Sequence, residues 1–333
     1  MIRFLIFCIL VCAFFVPAMG QDPNRLHELG KNYMIEGDYV NAESLLFEAY
    51  QKDTTNLVFA KDLTLCLYFQ KELKKALKIM LPKIESGTAD NQCFQITGNI
   101  YRAMKQYDQM ELLYKTGLKK FPEDGALYNE MGELLAIRKN PNCISYWEKG
   151  IEKDPSYPRN YFNACRFYSE SGDVAGLLYG EMYVTMDPFS TKSSEMKEIL
   201  LRSYRNFFVI RDVESYNKGK SKFDQRVSTL LLNQVRDTTI TLQTQSLIMY
   251  RTGFILDWYN EKNADKFPYQ LFERLRFMLR EGIFEAYNQW LFGSAENLTS
   301  FQLWTQLHQE EYNRFLDFIK KNTSPFPKAQ YYR

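Results

Sequence analysis

The sequence predicts an all-α protein: an α-solenoid of short helix-turn-helix pairs, followed by a helical region that lacks the repeat. Three observations carry this. A pattern of small and aromatic residues recurs every 34 residues, beginning near Pro23, Leu57, Asn91 and Gly125. Beyond Phe189 the period is lost, yet apolar residues keep the three- and four-residue steps of amphipathic helices. The composition, 45% hydrophobic and 25% charged, belongs to a folded chain. A length of 333 residues suffices for one long solenoid or two ordinary domains. The expected division is 1–20 as a signal peptide, 21–188 as an array of roughly five repeats, and 189–333 as a C-terminal α-helical domain.

Met1 to Gly20 reads as an export signal. Arg3 supplies a short positive region, Phe4 to Val16 is unbroken apolar chain, and Pro17 ends it. Ala18-Met19-Gly20 then offers small residues for cleavage before Gln21. The apolar run is too short to cross a bilayer, which takes about 20 residues. Phe7 and Val11 precede Cys8 and Cys12, and neither is the small residue expected before a lipidated cysteine. The chain is therefore expected in the periplasm or cell envelope, or secreted, with no transmembrane segment after cleavage. Four cysteines remain, Cys66, Cys93, Cys143 and Cys165, all in helical patterns and none in C-x-x-C spacing. They read as buried apolar thiols, although an oxidising compartment would permit a disulfide.

The repeat explains itself unit by unit. The first has Leu29, Gly30 and Tyr33 on its first helix, then Ala42, Leu46 and Ala49 on its second. The second has Leu63, Thr64 and Leu67, then Ala76 and Met80. Gly98, Tyr101, Met110, Tyr114 and Gly117 mark the third, and Met131, Gly132, Leu135, Cys143, Trp147 and Gly150 the fourth, with one residue missing between its helices. A looser fifth unit has Ala164, Cys165, Tyr168, Gly176, Gly180, Tyr183 and Pro188. Small residues are needed where paired helices touch, because a larger one strains the packing. Asp38, Asn140 and Asp173 stand where second helices begin and can cap free N–H groups. Asn140-Pro141 and Asp22-Pro23 each place proline at a first helical position.

This pattern resembles the tetratricopeptide repeat, over about half the chain. The resemblance implies a scaffold that serves many unrelated partners. Signal peptide, repeat array and aromatic C-terminal segment together look like envelope repeat proteins of Bacteroidetes-type bacteria, a likeness that implies no defined activity.

In the second half, helices are expected near Ser194–Ile210, Lys222–Val235, Gln243–Tyr259, Pro268–Glu281 and Thr299–Lys321. The last carries Phe301, Trp304, His308, Tyr312, Phe315 and Ile319 on one stripe, with Thr299 and Gln302 as a capping box. Its polar face bears Glu310, Glu311 and Asp317, which favours a core-facing helix over a membrane-surface one. The stretch Glu285 to Gly293 is dense in large side chains and reads as core, with a sugar or peptide platform as the alternative.

Several chemistries find no motif. There is no phosphate-binding glycine loop, dinucleotide fingerprint, nucleophile elbow or H-E-x-x-H pair. His27 and His308 are the only histidines, so a multi-histidine metal site is not expected. Lys+Arg 42 against Asp+Glu 40 leaves no basic excess for nucleic acid. Neither catalysis nor a cofactor is expected; paired carboxylates converging in space are the one route that spacing leaves open.

The leading expectation is thus an envelope or periplasmic protein–protein interaction scaffold that binds a protein or peptide. The alternative is an enzyme or glycan-binding protein with its site in the aromatic-rich C-terminal half. In the family resembled, first-helix residues line the concave face. That implies His27, Lys31, Met34, Lys61, Leu65, Tyr68, Phe69, Gln95, Asn99, Arg102, Asn129, Glu133, Phe162 and Arg166 as partner-facing positions. His27 and Asp62 stand where the family's carboxylate clamp needs lysine and asparagine, which argues against capture of a free C-terminus in that manner.

Overall fold

The computed structural model describes residues 22–235, 242–323 and 327–330. The expected signal peptide and its cleavage site lie outside the described residues. The chain forms two compact units, one up to Lys105 and one from Gln106. Among the described residues all regular structure is helical.

The first unit holds α1 (Pro23–Glu36), α2 (Tyr39–Lys52), α3 (Leu57–Phe69), α4 (Leu73–Glu85) and α5 (Asn91–Ala103). Asp22 caps α1 by accepting from the Asn24 N–H at 3.1 Å, with Pro23 at the first helical position. Asp38 does the same for α2, accepting from the Asn41 N–H at 3.2 Å. Gly30 lets the pair close, since a Cβ there would stand 2.7 Å from Leu46 Cγ. Leu46, Ala42, Leu63, Leu67 and Ala76 then share one small core. Thr64, in the place of a glycine, is fully buried and satisfies its hydroxyl on the Ala60 carbonyl at 2.6 Å.

The second unit begins with α6 (Tyr107–Lys120), α7 (Gly125–Ile137), α8 (Cys143–Lys153), α9 (Pro158–Tyr168) and α10 (Val174–Met186). Gly132 is the contact point of α7 and α8: a Cβ there would lie 2.4 Å from Trp147 Nε1. Pro141 does not occupy the first helical position that its sequence suggested; α8 starts at Cys143. The missing residue tightens this connection, and Asn140 instead caps the turn by accepting from the Asn142 N–H at 3.0 Å. Asp173 caps α10 through the Ala175 N–H at 3.0 Å, as its position suggested.

Then follow α11 (Thr191–Phe208), α12 (Val213–Asn217), α13 (Lys222–Leu232), α14 (Thr244–Asn260), α15 (Asn263–Lys266), α16 (Gln270–Arg280) and α17 (Phe284–Asn288). A π-helical turn, Gln289–Gly293, leads to α18 (Ser294–Glu296), α19 (Leu298–Leu307) and α20 (Gln309–Lys321). One apolar core runs from Leu135 to Ile319 and takes in Tyr183 and Val184 before position 188 and Met196 and Leu200 after it. At its centre lies α10, whose residues from Val174 to Thr185 are all buried. A helix apolar on every side belongs in the middle of a core.

The expected single helix Thr299–Lys321 is two helices. His308 leaves helical geometry at φ −118° and ψ 34°, which lets α20 sink Phe315 and Ile319 into the core while α19 buries no residue. Its first cap is Asn297, which accepts from the Ser300 N–H at 3.0 Å, in place of the expected Thr299. The four described cysteines are free thiols and buried. Burial pushes the Cys93 thiol up to about 11 and raises Cys66, Cys143 and Cys165 as well, so none is a reactive thiolate at neutral pH.

Candidate functional site

In the first unit, first-helix side chains of successive pairs bond to one another. His27 Nε2 lies 2.6 Å from Asp62 Oδ2, and its ring packs against Phe59 at 4.8 Å. His27 is only 4% exposed, so its role is to tie α1 to α3. Lys61 repeats the arrangement one pair later, donating to Asp90 Oδ2 at 2.8 Å and Gln92 Oε1 at 2.7 Å. Lys31 reaches Glu28 at 3.3 Å and keeps much of its side chain in solvent. Phe69 is half exposed and stacks on Tyr39 at 5.3 Å, with Tyr68 edge-on at 5.7 Å. Met34 and Tyr68 are half-buried against the small core. Leu65, Gln95 and Arg102 are half-buried, and Asn99 is exposed. The open part of this face is therefore Phe69, Lys31 and Asn99, framed by the His27–Asp62 and Lys61–Asp90 contacts.

In the second unit, Asn129 is fully buried. It accepts from Asn163 Nδ2 at 2.8 Å and donates to Glu133 Oε1 at 3.1 Å. Phe162, expected on an open face, is 6% exposed and packs edge-on against Tyr183 at 5.2 Å. What faces solvent above it is cationic: Arg166 and Lys192 sit 5.9 and 5.1 Å from its ring centroid. The sequence reading missed Tyr39, Asp90, Gln92, Asn163 and Lys192. Asn163 sits one position past the register equivalent of Asn129, which is Phe162 because the fourth unit is a residue short; Tyr39 and Lys192 belong to second helices or later chain, and no period points to them.

The C-terminal half holds two further candidates. The first is a buried network. Arg251 donates to Glu181 and to Asn288, and Tyr204 and Tyr287 donate their hydroxyls to the same Glu181 carboxylate, the latter at 2.9 Å. Aromatic rings of Tyr204, Phe284, Tyr287 and Phe292 surround the guanidinium at 5.2 to 5.6 Å. Burial and the Glu181 charge push both phenols up, so they stay protonated and keep donating. Arg251 and Glu181 are each 2% exposed, which leaves the network no opening to a substrate. The second is an open cleft of about 520 Å³ along α16, with arginines on its walls.

Trp290 is buried, and Trp304 is half-buried with its indole N–H donated to Glu285 at 3.2 Å, so neither ring is an open platform. Among the described residues no group of three or more His, Cys, Asp or Glu side chains could hold a metal ion. No described helix is long and apolar enough to cross a membrane.

No family model and no curated protein matches the chain. Solved structures do. PilF of Pseudomonas aeruginosa is 16% identical with a TM-score of 0.47, over 59% of this chain and 88% of that one. The thermophilic TPR protein TTC0263 of Thermus thermophilus is 13% identical with a TM-score of 0.44, over 54% and 99%. YrrB, described as a TPR protein with an unusual peptide-binding site, is 13% identical with a TM-score of 0.37, over 53% and 92%. The chain's own geometry identifies the fold. Helix pairs of 11 to 14 residues per helix start at Pro23, Leu57, Asn91 and Gly125, with Gly30 and Gly132 at the contacts of the first and fourth pairs: this is the fold of tetratricopeptide repeats.

Proposed function

We propose that the protein is an exported interaction scaffold that holds a protein or peptide on the first-helix face of its repeats. The observation that carries this is the face of the first unit. There, His27–Asp62 and Lys61–Asp90 fix the helices, Phe69 stays half exposed on a stacked Tyr39, and Lys31 on the same first-helix face keeps much of its side chain in solvent. Exposed aromatics with basic and amide neighbours supply contact area and backbone hydrogen bonds to an extended chain. His27 and Asp62 satisfy each other, so a carboxylate-clamp mode of capture finds no free pair there. In this reading residues 1–20 direct export and are removed before Gln21, residues 21–188 recognise the partner, and residues 189–333 close the array. Catalysis and nucleic-acid binding form no part of it.

The test is site-specific crosslinking in the native envelope. A photoreactive residue at position 69 should give a discrete protein adduct, and one at Leu112, 68% exposed on the second helix α6, should not. Equal labelling from both positions, or none from position 69, sinks the reading. Export is checked separately by N-terminal sequencing of the recovered protein, with Gln21 expected first.

A further inference from the structure

The cleft along α16 belongs to neither the repeat face nor the buried network. Arg274, Arg276 and Arg280 line it, against a single carboxylate, Glu273. Its apolar element is a stacked pair, Phe277 and Phe318, with centroids 5.2 Å apart and planes at 18°. Phe277 is 44% exposed, so one side of the stacked pair is open to a ligand. Two of the arginines are held in place by neighbours. Arg274 lies 4.7 Å over the Phe318 ring and donates to the Asn322 carbonyl at 2.6 Å. Arg276 lies 4.1 Å over the Tyr259 ring. Among the described residues, none of the three has a carboxylate within ion-pair distance, whereas Arg138, Arg205, Arg226 and Arg251 all do. Two buried polar atoms of the cleft's lining residues, Arg274 Nε and Gln270 Oε1, also lack a hydrogen-bond partner.

A guanidinium presents a planar fork that matches a carboxylate or phosphate, and stacked rings favour a flat or apolar body. We propose that this cleft is a binding site for an organic oxyanion, a carboxylate or phosphate carried on a flat apolar group, with Arg276 and Arg280 taking the anion and Phe277 the body. The proposal is independent of the repeat-face reading, since the two sites share no residue.

Phenyl phosphate, benzoate, inorganic phosphate and benzyl alcohol, titrated calorimetrically into the mature chain, test it. At least one of the two aromatic anions should bind saturably, and the stronger should identify the oxyanion as phosphate or carboxylate. Both Phe277→Ala and the pair Arg276→Gln with Arg280→Gln should weaken it by about tenfold or more, on the order of 1.4 kcal/mol. These three side chains are exposed, and circular dichroism and the melting midpoint should confirm that the variants fold. Glu273→Gln should tighten binding by removing the one opposing charge. The site is overturned if neither aromatic anion saturates by about 10 mM, a Kd equivalent to roughly 3 kcal/mol. Wild-type affinity in the double arginine variant, or benzyl alcohol binding as well as the anions, overturns it too.

Discussion

Each described turn between the two helices of a repeat contains a residue at positive φ: Gly37, Lys71, Lys105, Lys139 and Gly172. They follow one another by 34 residues, then 33 where the fourth unit is a residue short. The turn needs the left-handed conformation, and three repeats meet that need with lysine, at about 1–2 kcal/mol over glycine. Lys71→Gly and Lys139→Gly should each therefore stabilise the fold by up to about 1 kcal/mol, after the entropy glycine adds to the unfolded chain. Urea denaturation followed by circular dichroism reads this, and a lower midpoint in both variants refutes it. Gly132→Ala runs the other way: its Cβ meets the Trp147 indole, and overpacking of this kind costs about 1–3 kcal/mol.

Lys197 offers a pH readout. Its ammonium lies 3.6 Å over the Trp290 ring, and burial lowers its pKa to about 8. An unfolded lysine holds its proton to about 10.4. Between those values the unfolded chain binds more protons, so this group makes stability rise from about pH 8 to 10. Lys197→Met should raise stability below pH 8 and flatten that rise, measured as urea midpoints across the range; an unchanged profile refutes the assignment. The period and caps made the helix contacts legible in the sequence. The positive-φ lysines were invisible to it, because nothing in a lysine announces the left-handed region.

At the scale of elements, sequence reasoning worked where a helix has one apolar face and failed where it has none or is broken. The starts of α1, α3, α5 and α7 follow from the period alone, and α11, α13, α14 and α16 lie within a few residues of their expected places. The break at His308 was hidden because the stripe from Phe301 to Ile319 continues through it in register. Only burial separates the halves: α20 anchors Phe315 and Ile319, while Leu298, Leu303 and Leu307 of α19 remain exposed. Phe315→Ala should accordingly cost about 3–5 kcal/mol, and Leu303→Ser and Leu307→Ser no more than about 0.5 kcal/mol each. Comparable losses at all three positions contradict this division of labour.

Across the whole molecule, the sequence made the repeat face partly legible and the C-terminal sites hardly at all. Thirty-four-residue spacing finds His27, Lys61 and Asn129, but it cannot tell which of them are consumed by neighbours such as Asp62, Asp90 and Asn163. The Glu181–Arg251 network joins α10, α11, α14 and α17 across as many as 106 residues, and no local pattern foretells it. A buried ion pair of this kind is costly to break from one side, about 3–5 kcal/mol, and often cheap to replace whole. Glu181→Leu should destabilise the second unit by that amount, and adding Arg251→Met should restore much of it. All four tryptophans lie beyond residue 105, so tryptophan fluorescence reports this unit specifically. No recovery in the double variant means that the network holds more than the charge pair.

The burial of α10 on every side bears on timing. Glu181 leaves the ribosome 70 residues before Arg251 and 106 before Tyr287. Until those arrive, this apolar helix has an unpaired carboxylate at its centre and too few neighbours to cover it. Pairings so distant in sequence form late, and exposed apolar surface in the interval invites aggregation. The second unit should consequently refold slowly and in low yield when the chain is cut after residue 242. An export route that carries the chain unfolded and releases it whole would spare it that interval.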